Sequence, residues 1–514
     1  MKIGSRTLAT AFGLFLSLIV LSAVLMSQTK EAGQGTGAGT PALTIYNQQF
    51  AVVRQGLALD LNSGENHVDV TDITGHLEPD SVLLRSLDEG RHLRVLEQNY
   101  RNDPVSQQLL LSLYEGRSID FVTPDKSIVQ GKIIRSGFVR HSTSMFGEEY
   151  FQQQSAELQS GAGEPVIEVN GKLQFTLPGQ PLFPALADDT VLKPTLSWEL
   201  ETDRPGRLSA ELSYITGGMT WEASYNVVAP AKGNDMELVG WVTLDNQSGK
   251  TFQNARIKLM AGDVNKVQRG FEARAMVEVN ASGMGDMVRP PVTEKAFDEY
   301  HLYTLERPTT LHDRETKQVE FVRANGVHGR TVYVYDGWKP DENYGNWSME
   351  NIRNQEAFGT QSNSKVWVMQ EIKNSAENHL GMPLPKGKVR FYRRDDDGQL
   401  EFTGENVIDH TPKDELIRVY SGNAFDLTGE RRRTDFHWDS SDRWVEESFE
   451  IKLRNHKSAP VEIRIVEHLY RWSNWEVRKN SDPFEKTNSQ QVAFNVQIPP
   501  GGEKVVTYQV HYSW

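Results

Sequence analysis

Apolar residues recur at every second position along much of this chain. Leu57, Leu59 and Leu61 alternate with Ala58 and Asp60, and Val68 and Val70 flank Asp69. Leu238, Gly240, Val242 and Leu244 alternate with Val239, Trp241 and Thr243, and Phe449, Ile451 and Leu453 with Glu450, Lys452 and Arg454. A period of two sends successive side chains to opposite faces of a strand, so one face is apolar and the other wet. Turn chemistry agrees. Asn170-Gly171 parts Val166-Ile167-Glu168-Val169 from Lys172-Leu173-Gln174-Phe175, and Asp397-Gly398 parts Arg390-Phe391-Tyr392 from Leu400-Glu401-Phe402. Both pairs predict type I′ hairpins. The expected fold class is therefore mainly β, with antiparallel β-sandwich domains and little helix.

The best helical segment is predicted to start with Asp103 as cap and Pro104 in the first turn, to run through Gln107, Leu110 and Leu113, and to stop at Gly116. Short strand patterns follow at Ser118–Val122 and from Ile128 to Ile134, and the Asn170-Gly171 hairpin lies beyond them. A short helix leading into such strands predicts a small SH3-like barrel insertion over residues 103–177. Two segments interrupt the alternation, one near 276–297 with Gly, Met and Pro290-Pro291, the other at 338–364, rich in Asn, Gln, Ser, Gly and Glu. They read as exposed loop insertions. No repeat of fixed period is apparent.

At 514 residues the chain is long enough for several domains. The expected division is an N-terminal β region at 43–102, the helix and small barrel at 103–177, a central β-sandwich region at 178–430 carrying both insertions, and a C-terminal β-sandwich at 431–514. Residues 31–42 read as a Gly/Thr-rich linker. Between Arg6 and Lys30 there is no charge, and the centre of that stretch is strongly apolar. Residues 1–30 therefore read as a signal peptide or an N-terminal membrane anchor, with 7–29 as the apolar segment. The expected location is periplasmic or extracytoplasmic, possible anchoring being to the inner membrane.

The net charge of −14 excludes the basic stripe that nucleic-acid binding needs. Arg393-Arg394 and Arg431-Arg432-Arg433 have acids close by and read as solvated, locally paired faces. The absence of cysteine excludes disulfides, thiolate metal sites, iron–sulfur clusters and thiol nucleophiles. No metal site and no cofactor is expected.

Few motifs carry chemistry. Gly249-Lys250-Thr251 lies between two strands and is a turn rather than a phosphate loop. Asp395-Asp396-Asp397-Gly398 is a hairpin tip rather than a calcium loop. The densest polar cluster is Asp409-His410-Thr411-Pro412-Lys413-Asp414-Glu415, where a histidine beside carboxylates could serve as a general base. Asp409, His410 and Asp414 are accordingly the candidate catalytic residues of a hydrolase. Trp338, Tyr344 and Trp347 lie within the polar insertion without an evident core to join, and are candidate binding aromatics. Trp367 and the other strand tryptophans read as packing residues.

Several strings resemble the bacterial family called domain of unknown function 4139. They are Leu212 through Trp221, Gly240 through Gly249, Leu259 through Asn265, Tyr300-His301-Leu302-Tyr303, the Asp409 to Glu415 cluster, and Arg471-Trp472-Ser473-Asn474-Trp475. The resemblance extends over roughly residues 165–514. It implies an exported, β-rich envelope protein and carries over no catalytic residue. Some relatives are labelled mucoidy inhibitors and have a coiled coil ahead of the shared domain, a feature without a counterpart here. The function expected is a non-enzymatic module that binds an envelope protein or polysaccharide, the alternative being an extracytoplasmic hydrolase.

Overall fold

The computed structural model describes residues 33–34, 36–102, 105–138, 164–184, 192–262, 264–266, 292–297, 299–339 and 347–514. Strands dominate them, and the α-helices among the described residues are Gln107–Leu113 and Met349–Asn354. The alternation becomes sheet as expected. In both Asp235–Asn246 and Trp444–Asn455 every second side chain is buried.

Among the described residues the strands form four sheets, of four, five, eight and thirteen members. Their inward faces make three cores. The first gathers residues from Leu43 to Val419 around Trp198, Tyr225 and Phe321. The second belongs to the C-terminal half, with Phe449, Ile463, Phe494 and Tyr508. The third is small and holds Phe121, Ile133 and Ile167. Without disulfides, packing of this kind supplies the stability, at roughly 1.5–3 kcal/mol for each fully buried large apolar side chain.

Two long strands join the large cores. Glu315–Asp336 places Phe321, Val322, Ala324 and Val327 in the first core and Tyr335 in the second. Leu416–Asp439 likewise gives Ile417 and Val419 to the first and Leu427 to the second. The passage between the two cores thus falls inside strands, and the second core also draws in Val366.

Other expectations are revised. Residues 36–42, read as linker, form the first half of the strand Thr36–Tyr46. That strand pairs antiparallel with Phe50–Leu61 and parallel with Phe252–Ala261. The residues near 43–61 are therefore built into the same eight-stranded sheet as Gly206–Gly217 and Phe252–Ala261. A parallel partner two hundred residues away leaves no trace in local pattern. The expected small barrel is an open sheet, in the order Lys172–Gln174, Val166–Val169, Ile128–Arg135, Ser118–Val122, Gln180–Leu182, with no pairing between its two outermost strands. Its helix is capped by Ser106, whose hydroxyl accepts from Leu109 N at 3.1 Å; Asp103 and Pro104 lie outside the described residues. Asn170 and Gly171 both have positive φ, 50° and 74°, and make the type I′ turn. At the other hairpin only Gly398 does, and Asp395 N donating to Gln399 O at 2.8 Å closes a wider loop. Of the expected insertion near 276–297, residues Val292–Phe297 are a strand paired with Tyr300–Leu305.

One polar corner occurs twice. Asn246 and Asn455 each end a twelve-residue strand and are fully buried. The amide of each donates to the carbonyl four residues on, Lys250 or Ala459, at 2.9 Å, and each side-chain oxygen accepts from the N–H two residues on. Each amide also reaches a distant carbonyl, His312 or Pro499. The same device turns the chain into the next strand of both large cores. No described helix is long and apolar enough to cross a membrane, and residues 7–29 lie outside the described part.

Candidate functional site

Strand register decides the chemistry of the C-terminal half. Leu427, Gly429, Arg431 and Arg433 face inward while Glu430 and Arg432 face out. Arg431 is only 4% exposed, so the triple-arginine cluster is no solvated face. Its Nε bonds both Glu467 oxygens at 2.9 Å, and Tyr508 donates its hydroxyl to the same carboxylate. Burial opposes the charge on Arg431, but Glu467 outweighs it and raises the guanidinium pKa. Tyr508 is pushed well up, first by burial and then by the Glu467 charge.

A second buried pair lies beside it. Arg471 bonds Glu447 with Nε at 2.9 Å and Nη2 at 2.7 Å, and Arg433 Nη1 reaches Glu447 at 3.1 Å. The remaining donors of these arginines hold the polar insertion. Arg471 bonds the carbonyls of Ile352 at 2.6 Å, Arg353 and Gln355 at 3.1 Å, and Phe358 at 3.2 Å, while Arg431 bonds Gly359 O at 2.7 Å. Ile352 and Arg353 sit at the end of the helix Met349–Asn354, where carbonyls lack intrahelical partners and a cation is favoured. Arg353 in turn lies 3.6 Å over the Trp472 ring. Residues 347–364, expected as a loose loop, are thus fastened to the sheet by charge-assisted bonds.

The sequence-nominated aromatics follow from this. Trp338 packs on His468 and Tyr470, with ring centroids 5.5 and 5.1 Å apart, and Trp347 on Phe358 at 6.1 Å. Both tryptophans are half-buried and turned to the sheet; Tyr344 lies outside the described residues. Behind Trp338, His468 Nε2 donates to Asp336 Oδ2 at 2.8 Å, and its buried Nδ1 has no partner among the described residues.

An open concavity of this half lies on the outer side of the same strands. It is a groove of about 640 Å³, lined by Lys339 and the adjoining segment Ser362 to Lys365, and by Trp367, Gly429 and Glu430 on the strands. Its frame is rigid. Trp338 bridges Ser362, Asn363 N donates to Gly337 O at 3.1 Å, and Gly429 N to Ser364 O at 3.1 Å. Asn363 is fully engaged, its amide donating to Asp336 O and its oxygen accepting from Lys365 N. The Ser362 and Ser364 hydroxyls and the Lys339 and Lys365 ammonium groups have no partner among the described residues. Glu430 is paired with Arg454 at 3.1 Å. Trp367, half-buried beside Tyr420, is the aromatic this groove presents. Trp367 was read from sequence as packing; only its outward register on an alternating strand could have signalled it.

The Asp409 to Glu415 loop lies elsewhere. Asp409 is 91% exposed and 3.5 Å from Lys386 Nζ. His410 is exposed, and its Nδ1 accepts from Lys386 N at 3.1 Å. Asp414 has φ 67° and donates its N–H to Asn374 O. Fully buried Asn374 holds the loop, donating to Met382 O and Pro412 O at 2.9 Å. Asp409, His410 and Asp414 are therefore near one another in chain but converge on no cavity described above. Among the described residues no group of three His, Asp or Glu is placed to hold a metal ion.

Two large cores joined by continuous strands, with buried arginine–glutamate pairs and a polar outer groove, define the class: a mainly β protein of antiparallel and mixed sheets with little helix. The family model described as Domain of unknown function (DUF4139) matches residues 210–514, more than half the chain, and the chain belongs to that family. The match includes the groove and the second core; the strands Thr36–Tyr46 and Phe50–Leu61, which complete the first core, precede it. No curated protein matches the chain.

Proposed function

We propose that this is an extracytoplasmic binding module that takes a polysaccharide in the groove beside Trp367. The observation that carries the reading is a hydrogen-bonded frame in which the Ser362 and Ser364 hydroxyls have no partner among the described residues, next to an outward tryptophan. Sugar rings present apolar faces that pack on an aromatic ring and hydroxyl edges that need fixed hydrogen-bonding partners, and few preplaced polar groups suffice for orientation. The uncharged apolar stretch between Arg6 and Lys30 supports export of the body, and an envelope polysaccharide is then within reach. A hydrolase centred on Asp409 and His410 has less support, because His410 Nδ1 already accepts the Lys386 N–H from a segment 24 residues away.

Native gel electrophoresis of the full chain through gels containing single polysaccharides tests this. At least one polysaccharide is expected to retard the protein, and Trp367→Ala to abolish the retardation with circular dichroism unchanged. Retardation by none of a panel of neutral and acidic polysaccharides overturns the proposal, as does full retention in Trp367→Ala.

A further inference from the structure

Resting on that reading, we infer that the groove selects glycans bearing carboxylate groups, because two ammonium groups with no partner among the described residues, Lys339 and Lys365, line it together with Trp367.

Other lysines of this protein do find acids. Lys250 pairs with Asp72 at 2.9 Å, Lys317 with Glu315 at 3.1 Å, Lys452 with Glu503 at 2.8 Å and Lys504 with Asp482 at 2.6 Å. The chain carries 69 acidic against 55 basic residues, so carboxylates outnumber their possible partners. Glu430, the acid in the groove lining, could have neutralised a groove lysine, yet it is bonded to Arg454. Among the described residues the lining therefore has two positive charges without a partner, and its one negative charge is already matched.

The surrounding acidic body sharpens this. Its repulsion of a polyanion is screened beyond roughly 8 Å at physiological ionic strength, whereas contacts inside the groove are not. A uronic acid ring fits both demands, with a face for Trp367 and a carboxylate for an ammonium group. A neutral glycan can use Trp367, Ser362 and Ser364 but leaves both lysines with water. Charge-assisted hydrogen bonds are roughly twice as strong as neutral ones, so the lysines favour the acidic ligand. Lys339 and Lys365 are exposed and take no part in the buried ion pairs, so replacing them spares the fold.

Titration calorimetry of the full chain with galacturonate hexamers and maltose hexamers separates the possibilities. The acidic hexamer is expected to bind at least about tenfold more tightly, which corresponds to about 1.4 kcal/mol. In Lys339→Gln/Lys365→Gln that preference disappears while maltose hexamer binding is unchanged, and added salt weakens only the acidic ligand. Equal binding of both hexamers overturns this inference and leaves the polysaccharide reading standing. A preference that persists in the double variant overturns it too, because the selecting charge then lies elsewhere. Binding of neither hexamer removes the inference, and the gel panel then decides the polysaccharide reading on its own.

Discussion

Replacing Arg471 by Met keeps most of the side-chain volume and removes the guanidinium, which is 1% exposed. Six hydrogen bonds go with it, two to Glu447 and four to the carbonyls of Ile352, Arg353, Gln355 and Phe358. Glu447, 4% exposed in its side chain, keeps only Arg433 at 3.1 Å. Removing one partner of a buried ion pair costs about 3–5 kcal/mol, and the surviving Arg433 bond places the expected loss near the lower end. The orphaned carbonyls are expected to regain water by release of residues 349–359 rather than remain dry. Because the chain builds two large cores, a single global midpoint would average over both, and native-state hydrogen exchange resolved by segment is the assay. Protection should fall in 349–359 and in the strands Trp444–Asn455 and Val461–His468, while Gly206–Gly217 keeps its own. The double variant Arg471→Met/Glu447→Gln, which leaves no unpaired buried carboxylate, should be less destabilised than the single one. A loss below about 1 kcal/mol with unchanged protection in 349–359 would refute the clamp.

Deleting residues 338–364, which a loose insertion would tolerate, should instead leave the full chain insoluble or lacking the cooperative unfolding of its second core, because Arg431 and Arg471 lose their carbonyl partners; a soluble deletion with an unchanged melt contradicts this. Gly429→Ala would set a methyl 2.1 Å from the Tyr335 ring, and overpacking of this kind costs about 1–3 kcal/mol; urea unfolding followed by tryptophan fluorescence measures it. Asn455→Ala should destabilise the second core by about 1–3 kcal/mol through the carbonyls it leaves buried, with exchange in the first core unaltered. Burial alone would raise the Glu371 carboxyl, but hydrogen bonds from Arg330 and Arg418 outweigh it and hold it below the usual range. Its stabilising effect is thus present above the unfolded pKa of about 4.3 and lost as pH falls through the lower folded value. Glu371→Gln should therefore flatten the fall of the urea midpoint below about pH 4, and parallel curves for the two proteins would exclude this role.

How much of this was legible depends on which rule is applied to a given residue. Alternation located the strands, and Asn170-Gly171 gave a true type I′ turn, because both features act within a few residues. The partner of Thr36–Tyr46 was invisible for the opposite reason, as was the groove. Lys339, Ser362 and Glu430 meet through bridges between segments far apart in sequence. The buried charges are a different case. Composition treats Arg431-Arg432-Arg433 as a wet cluster, yet the inward series Leu427, Gly429, Arg431 already puts the first arginine in the core. The same count places Glu447 between Val445 and Phe449, and Glu467 and Arg471 in line with Ile463, Ile465 and Leu469, all of them buried. A charge at an inward register is costly unless paired, so two acids and two arginines on such registers must meet. Period two thus carries more than the apolar residues do: followed through its charged exceptions, it points to Arg431, Glu447, Glu467 and Arg471 as the set that fastens the insertion whose outer side walls the groove.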